Sequence, residues 1–148
     1  MKAAHLTLVA AALCFAASHV RAQEDQPPPY EKGPVWSFTE IKTKGGHFDD
    51  YMKYLDGDFK TESEALKREG RLLDYKIFVV ADPRQNEGDV WIAREYPNMA
   101  VFDHSTADDY ALDKRVLGSI TKSNEQMAAR DSIRQFLSEV MAREVILK

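Results

Sequence analysis

Three short stretches, VWSFTEI (residues 35–41), LLDYKIFVV (72–80) and VWIAREY (90–96), are rich in aromatic and β-branched residues and read as strands. Alternate residues of a strand point to opposite sides of its sheet. Trp36 and Phe38 therefore face away from Val35 and Ile41, Phe78 and Val80 away from Tyr75, Ile77 and Val79, and Trp91 away from Val90 and Ile92. Both faces of the predicted sheet are apolar. At roughly 25 cal/mol per Å² of apolar surface, neither face is cheaply left in water. A fold for this chain has to cover its sheet twice.

The segments between the strands supply one cover. After Gly45 and Gly46, the residues Phe48, Met52, Leu55, Phe59 and Leu66 form a single apolar stripe with helical spacing, over about five turns. Gly57 interrupts the polar side and is expected to bend this helix slightly. Pro83 and Gly88, in ADPRQNEGD, suit a hairpin loop between the second and third strands. Asn98 is a cap for a second helical region that opens with MAVFD and resumes near Asp108, with Leu112, Val116, Leu117 and Ile120 on its buried side. Residues 124–137 read as a further helix carrying Met127, Ile133, Phe136 and Leu137, and REVILK (143–148) reads as the last strand.

The order strand, helix, strand, strand, helices, strand leaves few assemblies with short, right-handed connections. The commonest is an α+β, ferredoxin-like split βαβ plait: one four-stranded antiparallel sheet with its helices on one face. The other face then remains apolar. A second copy of the same chain is the economical cover, so a homodimer is expected.

Upstream of the sheet, Lys2, the apolar run Leu6 to Ala17 and the small-residue site Val20-Arg21-Ala22 give residues 1–22 the form of a cleavable signal peptide. The apolar run is too short for an anchored helix, so no stable membrane span is expected after cleavage. A periplasmic or secreted protein follows. Residues 23–34, QEDQPPPYEKGP, are proline-rich without apolar periodicity and read as a flexible linker, which leaves 35–148 as the folded domain.

Cleavage after Ala22 removes Cys14, the sole cysteine, so no disulfide, thiolate metal site or cysteine nucleophile is available to the mature chain. It also leaves 18 basic against 24 acidic residues. An acidic chain with no basic run argues against nucleic acid or an anionic membrane as partner.

The order of elements, with VWSFTEI leading into GGHFDDYMKYL, the pair LLDYKIFVV and DVWIAREY, and NMAVFD opening the second helical region, resembles the dimeric α+β barrel superfamily over about residues 34–148. The YEKGPVW start and the MAREVILK finish are similar to a group of small secreted bacterial proteins of unknown role. The superfamily includes antibiotic-biosynthesis-type monooxygenases, haem-degrading enzymes, stress-response proteins and members without known activity. The resemblance is one of pattern, so it implies fold more strongly than chemistry.

It also implies a pocket between the sheet and its own helices, away from the dimer seam. Candidates to line it are Trp36, His47, Tyr51, Tyr54, Tyr75, Trp91, Arg94, His104 and Tyr110. His47 stands beside Asp49 and Asp50, acids that the first turn of a helix favours without any catalytic role. A metal on His47 and Asp50 would lack further ligands, and no metal site is expected. The haem-degrading members use a histidine on the second helix and a tryptophan on the third strand, positions that His104 and Trp91 would fill. The asparagine those members carry on the first strand is missing from VWSFTEI. No cofactor is expected on balance, with haem as the alternative.

Glu40, Asp74, Lys76, Arg94 and Glu95 interrupt the apolar strands, and are expected at strand ends and sheet edges or in ion pairs, because burying one alone costs several kcal/mol. No nucleophile triad, phosphate loop or nucleotide fingerprint occurs. The sequence thus supports a noncatalytic module that binds a small apolar or aromatic molecule or serves a partner. The alternative is a monooxygenase-like enzyme, cofactor-independent or haem-dependent, using the same pocket.

Overall fold

A computed structural model describes residues 27–148. The signal-peptide reading of residues 1–22 lies outside the described residues. Strand β1 (Tyr30–Thr43) is followed by helix α1 (Phe48–Tyr54), a π-helical turn (Leu55–Phe59) and helix α2 (Lys60–Arg68), then strands β2 (Asp74–Val79) and β3 (Val90–Tyr96). A 3₁₀ turn (Met99–Phe102), helices α3 (Thr106–Leu117) and α4 (Ile120–Ile133), and strand β4 (Arg134–Leu147) complete the chain. The strands form one antiparallel sheet in the order β2-β3-β1-β4. That is the predicted plait, with its helices on one face.

The core lies between helices and sheet. Ile41, Val90 and Ile92 meet Tyr51, Leu55 and Phe59, all buried, and a second group joins Leu66, Leu72 and Leu112. Backbone dihedrals stay right-handed helical from Tyr54 through Lys60, so α1, the π turn and α2 are one continuous helix. The wider turn around Gly57 has a structural effect. Residues four apart drift around an ordinary helix, whereas an i→i+5 turn takes up an extra residue and returns the stripe to the sheet. Tyr51, Leu55, Phe59 and Ser63 are therefore all buried. The expected slight bend at Gly57 is in fact this π turn.

Gly88 closes the loop between β2 and β3 against β1. A Cβ at this position would lie 2.4 Å from the Ile41 carbonyl oxygen, so only glycine permits the approach. Its amide donates to the Glu40 carboxylate at 2.6 Å, and Ser138 Oγ donates to the same side chain at 3.1 Å. Glu40 is thus a strap between three segments, held within the inner strand β1 by a backbone amide and a hydroxyl and not at an edge or in an ion pair as expected.

Three boundaries differ from the sequence reading: α4 begins at Ile120, an exposed residue expected on the buried side of the preceding helical region, and not at 124. The linker assigned to residues 23–34 ends early, because Tyr30, Glu31 and Lys32 pair with Leu147, Ile146 and Val145. The predicted helix 124–137 stops at Ile133, and β4 begins at Arg134, where φ and ψ of −139° and 168° are extended. The last strand therefore starts nine residues before the predicted Arg143. A bulge in the β1–β4 ladder between Glu40 and Ile41 places Phe136 and Ser138 on successive rungs, which hides the strand's two-residue period.

The face away from the helices carries Trp36, Phe38, Phe78, Trp91 and Val140, as the alternation requires. Phe38, Phe78, Trp91 and Val140 are all exposed on the single chain. Among the described residues no helix is long and apolar enough to cross a membrane.

Candidate functional site

On the helix face, Arg94 stands in β3 opposite Ser37 of β1 and Tyr75 of β2. Arg130 comes from the last turn of α4, and Arg134 opens β4. The junction between these two is fixed by the Lys44 amide, which donates to the Ile133 carbonyl at 2.9 Å. The three arginines converge on a recess of about 190 Å³, walled by Tyr51 and Tyr54 of α1, Phe59 of the π turn and Ile92 of β3.

Each guanidinium rests on an aromatic ring. Arg94 Cζ lies 4.8 Å from the Phe59 ring centre, Arg130 Cζ 4.9 Å from that of Tyr54 and Arg134 Cζ 5.7 Å from that of Tyr51. Such contacts hold a cation from its face and leave its in-plane N–H groups available. None of the three makes an ion pair with a carboxylate among the described residues. Arg130 donates one N–H to the Tyr54 hydroxyl. The Nε atoms of all three are buried without a hydrogen-bond partner.

Tyr51 is fully buried and its hydroxyl has no hydrogen-bond partner among the described residues, although Arg134 lies close enough to act on its ionisation. Burial raises the Tyr51 pKa, with Arg134 and Arg130 pulling in the opposite direction. The phenol is therefore a neutral donor at ordinary pH. Glu139 lines the recess as well, and accepts from Thr39 Oγ1 at 3.3 Å.

A second lobe of about 260 Å³ shares Tyr54, Arg94 and Arg130 and adds Asp58, Glu62 and Asp113. Two of these acids already hold neutral donors. Gln126 Nε2 donates to Asp58 at 2.8 Å and Ser123 Oγ to Asp113 at 2.9 Å.

Of the residues singled out in the sequence, the structure brings Tyr51, Tyr54 and Arg94 together here. Tyr75 shares their sheet face but stands behind Phe59, ring edge to face at 5.5 Å, with its hydroxyl donating to Glu64 at 3.1 Å. Trp36 and Trp91 do not line the recess, because their strand parity puts them on the opposite face. Trp36 Nε1 donates to Glu144 at 2.9 Å there.

His47 stays at the half-exposed helix start, its Nδ1 3.1 Å from Asp50. Tyr110 is exposed on α3. His104 precedes α3, which packs through Leu112 on the helix side. Trp91 lies on the opposite sheet face, and His104 Nε2 is buried without a hydrogen-bond partner among the described residues. Among the described residues no group of three or more His, Cys, Asp or Glu is placed to hold a metal ion. Arg130 and Arg134 went unnoticed in the sequence reading. The available signal was two arginines four residues apart at the end of the predicted helix 124–137.

No protein-family model matches the chain, and no curated protein does. The solved structure of HapK from Hahella chejuensis is similar, with a TM-score of 0.52, 8% identity, and 74% of this chain and 91% of that one covered. The chain has the ferredoxin-like α+β fold. It is the plait that the sequence resemblance to the dimeric α+β barrel superfamily implied. Protein SO0527 from Shewanella oneidensis matches with a TM-score of 0.47 at 12% identity, over 79% of this chain and 96% of that one. A dimeric ferredoxin-like protein from an uncultured marine organism matches with a TM-score of 0.48 at 13% identity, over 80% and 90%.

Proposed function

We propose that this protein is an exported, noncatalytic binding module that self-associates through its bare sheet face and holds a small organic molecule in the recess between sheet and helices. The observation that carries the reading is the recess itself, whose aromatic rings enclose three arginines without carboxylate partners among the described residues. A cation so placed favours an acceptor brought by a guest. At about 190 Å³ the recess suits a molecule of one ring, since an apolar cavity of roughly 150 Å³ accepts benzene.

Self-association rests on Phe38, Phe78, Trp91 and Val140, which form one apolar field on the face that no helix covers. Export rests on the form of residues 1–22. Of the apolar or aromatic guest expected from the sequence, the recess favours an aromatic one that also carries a polar group, because three of the side chains lining it are arginines.

The test is a screen of single-ring fragments by saturation-transfer NMR on the protein without residues 1–22, alongside native mass spectrometry of protein purified from its own cells. Fragments that bind at one saturable site and are lost in Tyr54→Ala support the reading. Failure of every fragment to saturate, with no retained small molecule in the mass spectrum, removes it.

A further inference from the structure

The three arginines of the recess are held in an unusual way, and the manner of holding identifies the guest. Arginines with a structural role are ordinarily fixed by carboxylates, which use the in-plane N–H groups bidentately. Arg94, Arg130 and Arg134 are instead fixed on the rings of Phe59, Tyr54 and Tyr51. None of the three is paired with a carboxylate among the described residues, and with Nε shut away from the recess it is the terminal guanidinium nitrogens that can meet a guest. Three cations and a phenol thus converge where one carboxylate, Glu139, is already engaged by Thr39. The local excess of positive charge is unlike the chain as a whole, which is acidic.

We propose that the recess takes a small aromatic carboxylic acid, its carboxylate received by Arg94, Arg130 and Arg134 and its ring lodged among the apolar walls of the recess. The inference rests on the ligand-binding reading above and narrows it to a chemical class. A carboxylate matches the arginine fork in shape and charge, and such bonds are the strong ones. Ile92 and Phe136 supply apolar surface for the ring. The acids Asp58, Glu62 and Asp113 lie in the adjoining lobe, so their field turns the anionic end of a guest toward Arg134.

Calorimetric titration of the signal-free protein with benzoate, benzamide and inorganic phosphate tests this directly. Benzoate is expected to bind at least about tenfold more tightly than benzamide, the factor appropriate to charge-assisted hydrogen bonds. Phosphate should compete only weakly. Arg134→Gln and Arg94→Gln should abolish the preference for the acid, whereas Arg84→Gln, in an exposed loop, should leave it intact. Arg134→Lys, which keeps the charge and loses the fork, guards against a folding defect and should weaken benzoate while circular dichroism stays unchanged.

Equal binding of benzoate and benzamide would overturn the acid but leave a ring-binding recess standing. Phosphate matching benzoate would overturn the aromatic class, since the site would then respond to charge alone. Binding of neither organic probe at millimolar concentration would overturn the inference outright, and the fragment screen would then decide whether the wider reading survives.

Discussion

The guanidinium of Arg94 lies 4.8 Å from the centre of the Phe59 ring, and its buried Nε has no hydrogen-bond partner. A cation placed in this way is attracted by the ring, yet remains under-solvated. Replacing it by a residue of similar length without charge removes the desolvation penalty and retains the packing. Arg94→Met is expected to raise stability by on the order of 1 kcal/mol, while abolishing discrimination between benzoate and benzamide. Urea denaturation and the titration above, run on the same variant, check both halves. A destabilised Arg94→Met would show that the arginine serves the fold.

The bare sheet face makes a second prediction. Phe38 and Trp91 stand on adjacent strands of that face, 38% and 43% exposed on the single chain. Phe38→Lys or Trp91→Lys places a charge in the middle of the proposed seam, where an unpaired cation costs several kcal/mol. Light scattering should find a dimer for the parent chain at micromolar concentration and single protomers for either variant, with circular dichroism unaltered. A parent chain that is already monomeric would refute the seam.

Gly88 gives a third, independent of any ligand. Because a Cβ on residue 88 would come within 2.4 Å of the Ile41 carbonyl oxygen, Gly88→Ala must displace β1 or break the bond from Gly88 N to Glu40. Overpacking of this kind typically costs about 1–3 kcal/mol. The expected shift is in the urea midpoint with the slope unchanged.

Burial, foremost, raises the pKa of Tyr51, and burial together with the bond to Glu64 raises that of Tyr75. A group with a raised folded pKa favours the folded state fully below its unfolded pKa, about 10 for tyrosine, and the contribution fades as pH climbs through the folded value. Stability should therefore fall as pH rises above about 10. A phenolate absorbance titration should contain a late component, reduced in Tyr51→Phe and in Tyr75→Phe. Complete ionisation at the ordinary value would contradict the raised pKa of both.

Ser105 caps α3, accepting from the Asp108 amide while the Asp108 carboxylate accepts from the Ser105 amide and hydroxyl. The two Ser105 donors, hydroxyl first, lower the Asp108 pKa. Ser105→Ala should cost about 1 kcal/mol, measurable by thermal denaturation. The cap's contribution is present above the ordinary aspartate pKa and is lost as pH falls through the lowered one.

Strand parity was legible in the sequence because a two-residue period needs no knowledge of partners: Trp36, Phe38, Phe78 and Trp91 lie opposite Ile41, Ile77 and Ile92 as read. The first helix was legible for the same reason, although its π turn brings Tyr51 into the core beside Leu55 and Phe59. The end of α4 was not. Arg134 and Phe136 satisfy a helical stripe as well as a strand, and pairing with Thr43 and Ile41 decides between them. The recess was half legible, through Tyr51, Tyr54 and Arg94, while Trp36 and Trp91 were assigned to it against the parity that puts them elsewhere.

Local periodicity and element order, written in side-chain size and polarity, thus settled which faces are apolar and which plait they build. Convergence of Arg94, Arg130 and Arg134 from a strand, a helix end and a second strand was decided by the tertiary structure alone. Periodicity acts between neighbours along the chain, whereas a charge cluster depends on distances between segments that only packing brings within reach.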